Sequence, residues 1–358
     1  MNDTRGTLRV AVVRGDGIGP EVVEATLPLL EQAAGQEGTR LQVSELDWGS
    51  DRYLATGAVM PADAAQIVGG HDAVLFGAVG RPDVPAHVAV WGLILALRQQ
   101  LDLYVNLRPV TSWPGIPGPL RDGSGVDFVV VRENTEGEYA GIGGRTHAGT
   151  IDEVAVEVAV HSRRAIERVA RYAFDLARRR NGLVSLVTKS NASKYGYVLW
   201  DEVVAEVAAD FDDVRYEAVF ADAMAARMIE RPRSLDVLLC SNLFGDILSD
   251  LGAPLQGGLG MAPSANLRPG GGAPGVFEPV HGSAPDIVGR GVANPIGCVL
   301  SGAMLLAENG LVEAPRALER AVAAAVADES ARTPDLGGRG TTRTIAEAIG
   351  EALATAIV

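Results

Sequence analysis

Short runs rich in β-branched residues alternate along this chain with longer stretches in which apolar residues recur every three or four positions. In the first half the pairs are 8–13 then 21–34, 73–76 then 90–101, and 128–131 then 153–179. The second half continues with 183–188 then 198–209, 215–220 then 222–230, and 235–240 before a helical segment that begins at Asn242. Such alternation predicts an α/β protein with a largely parallel sheet. The stretch beyond residue 258 reads as mainly helical, closing with a Gly-rich turn at 337–340 and a capped helix from Thr341. Pro/Gly-rich stretches at 113–119 and 268–275 are loops, and no internal repeat is evident.

One helical segment carries more than packing. In Asn242-Leu243-Phe244-Gly245-Asp246-Ile247-Leu248-Ser249-Asp250, helical spacing stacks Asp246 over Asp250 on one face. The two carboxylates repel, and no Lys or Arg within the segment relieves them, so a cation is predicted beside them. Hard oxygen donors of this kind suit Mg2+ or Mn2+ better than zinc. An isolated pair is more simply read as a solvated acidic face, and the rest of the chain has to decide.

Further motifs surround it. The cluster Gly15-Asp16-Gly17-Ile18-Gly19-Pro20-Glu21 follows a strand and opens a helix, but it lacks the third glycine of a Rossmann fingerprint. It predicts a tight strand-to-helix turn beside a ligand, with Pro20 in the first helical turn. The loop Glu278-Pro279-Val280-His281-Gly282-Ser283-Ala284-Pro285-Asp286-Ile287 is dense in polar handles and could hold a nucleotide. Asp286 would accept from ribose hydroxyls and repel a 2'-phosphate, which favours NAD over NADP. Arg98, Arg108 and Arg132 fall within 35 residues and suggest a carboxylate-binding pocket. Tyr139, beside them in the Gly-rich segment after Arg132, becomes a plausible acid.

Composition narrows the classes. A chain of 358 residues forms one large or two medium domains. A formal charge of -14 argues against a nucleic-acid partner, while local basic pockets for an anion remain compatible with it. Cys240 and Cys298 sit in apolar surroundings and support neither a disulfide framework nor a zinc site. The polar residues 1–9 and the short apolar run 10–13 fit neither a signal peptide nor a membrane span, so a cytoplasmic location is expected. Of 31 basic residues only Lys189 and Lys194 are lysines. A lysine that persists in such a background can be one that arginine cannot replace, because arginine does not give up its proton.

Together the segments 15–21, 97–109, 131–139, 242–250 and 278–295 resemble the β-decarboxylating dehydrogenase family of isocitrate, 3-isopropylmalate, tartrate and D-malate dehydrogenases. The likeness runs from the first strand to Asp335-Leu336-Gly337-Gly338. It implies an isopropylmalate dehydrogenase-like two-domain fold with a shared mixed sheet flanked by helices, not a Rossmann fold. Residues 1–103 and 260–358 would form a large NAD-binding domain. Residues 104–259 would form a small domain with substrate and metal residues and a dimer interface. The resemblance implies that Arg98, Arg108 and Arg132 hold substrate carboxylates, Tyr139 protonates the enolate after CO2 leaves, and Lys189 helps remove the C2 hydroxyl proton. Asp222, Asp246 and Asp250 would be the metal ligands. Lys189 and Asp222 would serve the active site of the other subunit of a homodimer. Ile18, Glu278, His281, Gly282, Ser283, Ala284, Asp286, Ile287 and Asn294 match the NAD site, and Asp286-Ile287 stand where NADP-dependent relatives carry Lys-Tyr.

Substrate choice in this family is read just before Arg98, here in Val90-Trp91-Gly92-Leu93-Ile94-Leu95-Ala96-Leu97. The chain resembles tartrate and D-malate enzymes in Trp91 and in Pro82-Asp83-Val84-Pro85-Ala86-His87, and an indole there shortens the pocket. A small C3 substituent, hydrogen or hydroxyl, is the expectation. Ile94 and Leu95 are apolar enough to receive an alkyl group, which keeps 3-isopropylmalate or a related 3-alkylmalate as the alternative. Arg14 departs from the proline often found before Gly15. A catalytically silent regulatory subunit is a further alternative, although such subunits usually lose part of the Lys, Tyr and Asp set that this chain retains. A phosphate-ester hydrolase built on the Asp pair has no comparable support.

Overall fold

A computed structural model describes residues 6–355; residues 1–5 and 356–358, which belong to the terminal stretches considered above, lie outside the described residues. The strands are β1 (Thr7–Gly15), β2 (Arg40–Glu45), β3 (Ala73–Ala78), β4 (Val105–Thr111), β5 (Asp127–Glu133), β6 (Gly137–Thr146), β7 (Val154–Val160), β8 (Leu183–Thr188), β9 (Arg215–Phe220), β10 (Val237–Cys240), β11 (Pro263–Leu267) and β12 (Gly275–Pro279). The fold is α/β: ten of these strands belong to a large mixed sheet flanked by helices, and β6 and β7 form a hairpin of their own.

Two compact units divide the chain. Of the described residues, the first holds 6–103, Arg108–Val126 and 253–355. Its strands run β2-β1-β3-β12-β11, with β2, β1, β3 and β12 parallel and β11 antiparallel to β12. Alternation along the strands sends Ala11, Val13, Val74, Phe76 and Val276 into one cluster with Leu93 and Leu97 of the segment preceding Arg98. Helices Gly19–Gln36, Ile296–Glu308, Glu313–Ala327 and Thr342–Thr355 pack against one another in the same unit. Thr341 caps the last of these, its hydroxyl accepting from Thr344 N at 3.1 Å, as the sequence predicts.

The second unit comprises Tyr104–Leu107 and Asp127–Gly252. Its strands run β5-β10-β8-β9, all parallel, and β8 and β10 are buried at every position. The division differs from the expected segment 104–259 in that Arg108–Val126 and the residues after Gly252 go with the first unit. Hydrogen bonds within the first unit accord with this: Thr111 N donates to Gln256 Oε1 at 3.4 Å, and Ser112 N donates to Val126 O at 2.9 Å.

Two sequence readings need correction. The stretch 153–179 is not one helix: Val154–Val160 is strand β7, and the helix runs Arg163–Arg178 with Ser162 as its cap. The alternating valines at 154, 156, 158 and 160 carry the period of a strand, which a reading based on helix length overrides wrongly. The end of the chain also contributes β11 and β12 before its helices begin. Among the described residues, no helix is long and apolar enough to cross a membrane.

Candidate active site

In the second unit the chemistry gathers where β5 meets β10. Cys240 pairs with Arg132 across these strands, so the helix that starts two residues later at Asn242 begins beside the Arg132 side chain. Arg132 is 2% exposed. Its Nε and Nη2 donate to Asn242 Oδ1 at 2.9 and 2.7 Å, and its Nη1 donates to Asp246 Oδ1. Gly245 makes this approach feasible, since a Cβ there would lie 2.6 Å from the Cβ and Cγ of Arg132. The cation that the paired aspartates demand is therefore, for Asp246, a guanidinium from a neighbouring strand.

Tyr139 shares the same carboxylate, its hydroxyl donating to Asp246 Oδ2 at 3.1 Å while the Arg132 guanidinium lies 5.6 Å from its ring centre. Burial, with help from the Asp246 charge, pushes the Tyr139 phenol above its ordinary pKa despite the opposing pull of Arg132. The phenol thus holds its proton at neutral pH, as an acid must. Next to it Glu133 is buried and accepts from Thr135 N, Thr135 Oγ1 and Glu136 N, which fixes the loop leading to Tyr139.

Lys189, at the end of β8, donates from Nζ to Asp222 Oδ1 at 2.7 Å, and this hydrogen bond holds the Asp222 carboxyl below its usual range. Within the chain Asp222 is not gathered with Asp246 and Asp250, as expected of a residue that would serve the other subunit. Among the described residues no group of three or more His, Cys, Asp or Glu side chains is arranged to hold a metal ion. The pair on the helix still fits one chemically: both donors are carboxylates one turn apart, Asp250 is exposed and Asp246 is only partly covered.

The first unit holds the remaining candidates. Arg98 is 6% exposed and donates from Nη2 to Glu278 Oε1 at 2.8 Å, an oxygen that also accepts from Asn266 Nδ2 at 2.9 Å. Its Nε is buried with no partner among the described residues. Arg108 is equally buried, on β4. The segment before Arg98 is helical from Ala86 to Gln100, with a π turn at Trp91–Leu95, a wide turn of the sort that recurs at functional sites. Ile94 and Leu95 pack into the core cluster, whereas Trp91 is 37% exposed.

The glycine turn and the polar loop lie against each other. Ile18 N donates to Ser283 O at 3.0 Å, and a Cβ on Gly17, whose φ is +61°, would meet Ser283 O at 2.1 Å. His281 Nδ1 contacts Gly282 O at 2.9 Å, and because a carbonyl can only accept, Nδ1 carries the hydrogen. Nε2 is then a buried acceptor with no partner among the described residues. Burial lowers the His281 pKa, so the ring is neutral and offers that acceptor to a donor on a ligand. Ala284 adopts a positive φ of 41° and its carbonyl accepts from Ile287 N. Gly282 and Asp286 are exposed, and Glu278 faces Arg98 as described. Asn294 is occupied within the protein, its Nδ2 donating to Asp335 Oδ2 at 3.0 Å and its Oδ1 accepting from Ile296 N at 3.0 Å.

Four residues of these clusters are absent from the sequence-derived set: Asp16, Asn242, Asn266 and Asp335. Asp16 is 6% exposed and accepts from Ser50 N, Ser50 Oγ and Gly80 N at 2.9, 2.6 and 2.7 Å, tying the glycine turn to two neighbouring loops. Asp16, Asn242 and Asp335 lie inside motifs already singled out, so their positions were legible though their partners were not. Asn266 carries no signal in the sequence.

Comparison with known proteins places the chain in a family. The sequence profile of the isocitrate/isopropylmalate dehydrogenase family matches residues 9–352. A protein of Agrobacterium vitis described as a probable tartrate dehydrogenase/decarboxylase is 47% identical over 350 residues, covering 97% of this chain and 96% of the relative. The decarboxylating D-malate dehydrogenase of Escherichia coli (strain K12) is 43% identical, covering 96% of this chain and 98% of that one. The crystal structure of isocitrate dehydrogenase from Methylococcus capsulatus superimposes with a TM-score of 0.88 at 37% identity, covering 97% of this chain and 99% of the other. Matched nearly end to end in sequence and in fold, the chain belongs to the isocitrate/isopropylmalate dehydrogenase family.

Proposed function

We propose that this protein is a dehydrogenase that oxidatively decarboxylates a malate-type 2-hydroxy dicarboxylic acid, D-malate or tartrate, with NAD and a divalent metal. The observation that carries the reading is the joint engagement of Asp246 by Arg132 and Tyr139, which sets a carboxylate anchor, a proton donor and a hard oxygen ligand on one another. Relatives named for tartrate and D-malate support the substrate class.

In this reading Arg98, Arg108 and Arg132 bind the substrate carboxylates, each guanidinium offering paired N–H donors. Lys189, as the neutral amine, would accept the C2 hydroxyl proton on Nζ as hydride leaves C2. Tyr139 returns a proton to C3 once CO2 has departed, a role that the raised pKa of its phenol suits. Asp246 and Asp250, with Asp222 of the partner subunit, would hold Mg2+ or Mn2+, whose chemistry when bound would be Lewis-acid polarisation of the substrate oxygens. NAD supplies the hydride acceptor; Ile18, His281, Gly282, Ser283, Ala284, Asp286, Ile287, Asn294 and Glu278 would hold it, the buried acceptor of His281 being the feature that fits a nucleotide best. The exposed Asp286 carboxylate would disfavour a 2'-phosphate.

A homodimer completes the reading, with Lys189 and Asp222 serving the partner's site. Support comes from apolar side chains exposed in the second unit: Ile142, Val156 and Val158 on the hairpin, and Phe220, Ile229 and Ile247 elsewhere. Trp91, 37% exposed where the resemblance puts the reader of the C3 group, supports the smaller substrates over a 3-alkylmalate.

The test is a steady-state panel with purified protein, Mn2+ and NAD. NADH formation from D-malate or a tartrate isomer, exceeding that from 3-isopropylmalate, is the expected result. No NADH from any of the three sinks the reading, and a preference for NADP sinks the role given to Asp286.

A further inference from the structure

Asn242 contacts none of the groups the reaction uses except one, and that contact is unusually complete. We propose that Asn242 is a positioning residue, which fixes the Nε–Nη2 edge of the Arg132 guanidinium for binding of a substrate carboxylate without setting a second negative charge on it beside Asp246; the proposal rests on the reading of Arg132 as a carboxylate anchor.

Asn242 is 1% exposed and opens the helix that carries Asp246 and Asp250. Its Oδ1 takes both the Nε and the Nη2 of Arg132, while its Nδ2 donates to Glu136 O at 2.8 Å. The amide has one workable orientation, because a flip would set its NH2 against the guanidinium and its oxygen against a carbonyl. Glycines clear the space on both sides: a Cβ on Gly137 would lie 3.1 Å from Asn242 Cβ, and one on Gly245 would strike Arg132. The loop before Tyr139, the helix and Arg132 are thereby locked into one arrangement.

The choice of an amide matters for charge. A guanidinium that is 2% exposed needs acceptors for its N–H groups, or burial penalises it heavily. Asp246 already sets one carboxylate on Nη1, and an aspartate at 242 would add a second negative charge to the same guanidinium. A neutral amide oxygen satisfies the Nε–Nη2 edge without adding to the repulsion that a dianionic substrate meets there.

The experiment compares N242A, N242D and wild type, each also in an R132K background, by melting temperature, kcat, and KM for D-malate and for NAD with Mn2+ present. Where turnover is too slow, calorimetric binding of D-malate replaces KM. N242A should raise the KM for D-malate roughly tenfold, the loss expected of a hydrogen bond to a charged group, with the KM for NAD unchanged. N242D keeps the acceptors but sets a second carboxylate on Arg132 beside Asp246 and loses the donor to Glu136 O, so it should melt somewhat below wild type and weaken D-malate at least as much as N242A; it carries the test alone if N242A does not fold. In R132K, which has no Nε–Nη2 edge, N242A should add little. Unchanged KM for D-malate in N242D, or full additivity with R132K, overturns the proposal while leaving the proposed function standing. A wild type that neither binds nor oxidises D-malate, tartrate or 3-isopropylmalate removes the proposed function and this inference with it.

Discussion

Gly245→Ala should leave the protein folded and nearly silence it, although it adds only a methyl group to a helix. Alanine is intrinsically better than glycine in a helix interior by about 0.8–1.0 kcal/mol. Against that gain, the new Cβ would sit 2.6 Å from the Cβ and Cγ of Arg132 and 3.1 Å from its Cδ. Carbon atoms in good contact are about 3.5–4.0 Å apart, so relief requires a shift of roughly 1 Å, and over-packing of this kind costs about 1–3 kcal/mol. Setting one against the other leaves a net destabilisation of about 0–2 kcal/mol, a few degrees of melting temperature at most for a chain of this size. Function has no such compensation. The atoms that must move belong to the side chain that carries the carboxylate anchor, and a misplacement of about 1 Å in a positioning group costs on the order of 100-fold in rate. That corresponds to about 2.7 kcal/mol of barrier. The assay is kcat/KM for D-malate with NAD and Mn2+, alongside thermal melting. A variant that melts like wild type and keeps kcat/KM within about threefold would refute the reasoning, since it would show that Arg132 either yields without consequence or has no part in binding.

Other expectations follow from single contacts. Tyr139→Phe removes the proton donor and one partner of Asp246, and should lower kcat by about 100-fold or more; NADH formation and CO2 release measured side by side, each near wild type, would exclude Tyr139 from the reaction. Lys189→Arg retains a cation beside Asp222 but not a transferable proton, so turnover should nearly vanish while melting is unchanged, and near-normal kcat in that variant removes Lys189 from the mechanism. Glu37 accepts from Val312 N, Glu313 N and Ala314 N at the start of the helix Glu313–Ala327, and these bonds depress its pKa below the ordinary 4.5. Its contribution is therefore present above that value and is lost as pH falls through the lower folded-state pKa. Glu37→Gln should cost about 0.5–2 kcal/mol at neutral pH, as loss of a helix cap does, and the gap between the two melting curves should close in acid; a gap that widens in acid contradicts the assignment.

The fold was legible wherever two signals agreed. Strands β1, β3, β5, β8 and β9 begin and end within two residues of their predicted bounds because β-branched runs meet glycine, proline or charge at both ends. The failure at 153–179 came where β-branched alternation ran into a helix with no glycine or proline between them; only Ser162 marks the change, and its capping bond to Ala165 N is a single hydrogen bond that a pattern of apolar positions does not register. Candidate residue types stood out in the sequence, since three arginines, a tyrosine and paired carboxylates mark it at spaced motifs. Their partners did not. That Arg98 meets Glu278, 180 positions away, or that Asn266 shares the same oxygen, depends on which strands become neighbours, and strand order is not written in any local pattern.

The aspartate pair illustrates how far local electrostatics carries an argument. Repulsion between Asp246 and Asp250 demands a positive partner, and the demand is real, but it does not say where the partner comes from. Asp246 finds one in Arg132, a residue 114 positions earlier that reaches it because β5 and β10 pair in register. One helix face therefore presents, turn by turn, an amide, a carboxylate and a second carboxylate. Asn242 and Asp246 both hold Arg132, Asp246 also receives Tyr139, and Asp250 remains exposed one turn further on. A cation bound by both aspartates would draw on the same Asp246 oxygens that Arg132 and Tyr139 now use. In the proposed function, metal affinity, the orientation of the carboxylate anchor and the poise of the acid would be tied through one side chain, so a substitution at Asp246 could not be read as the loss of a metal ligand alone.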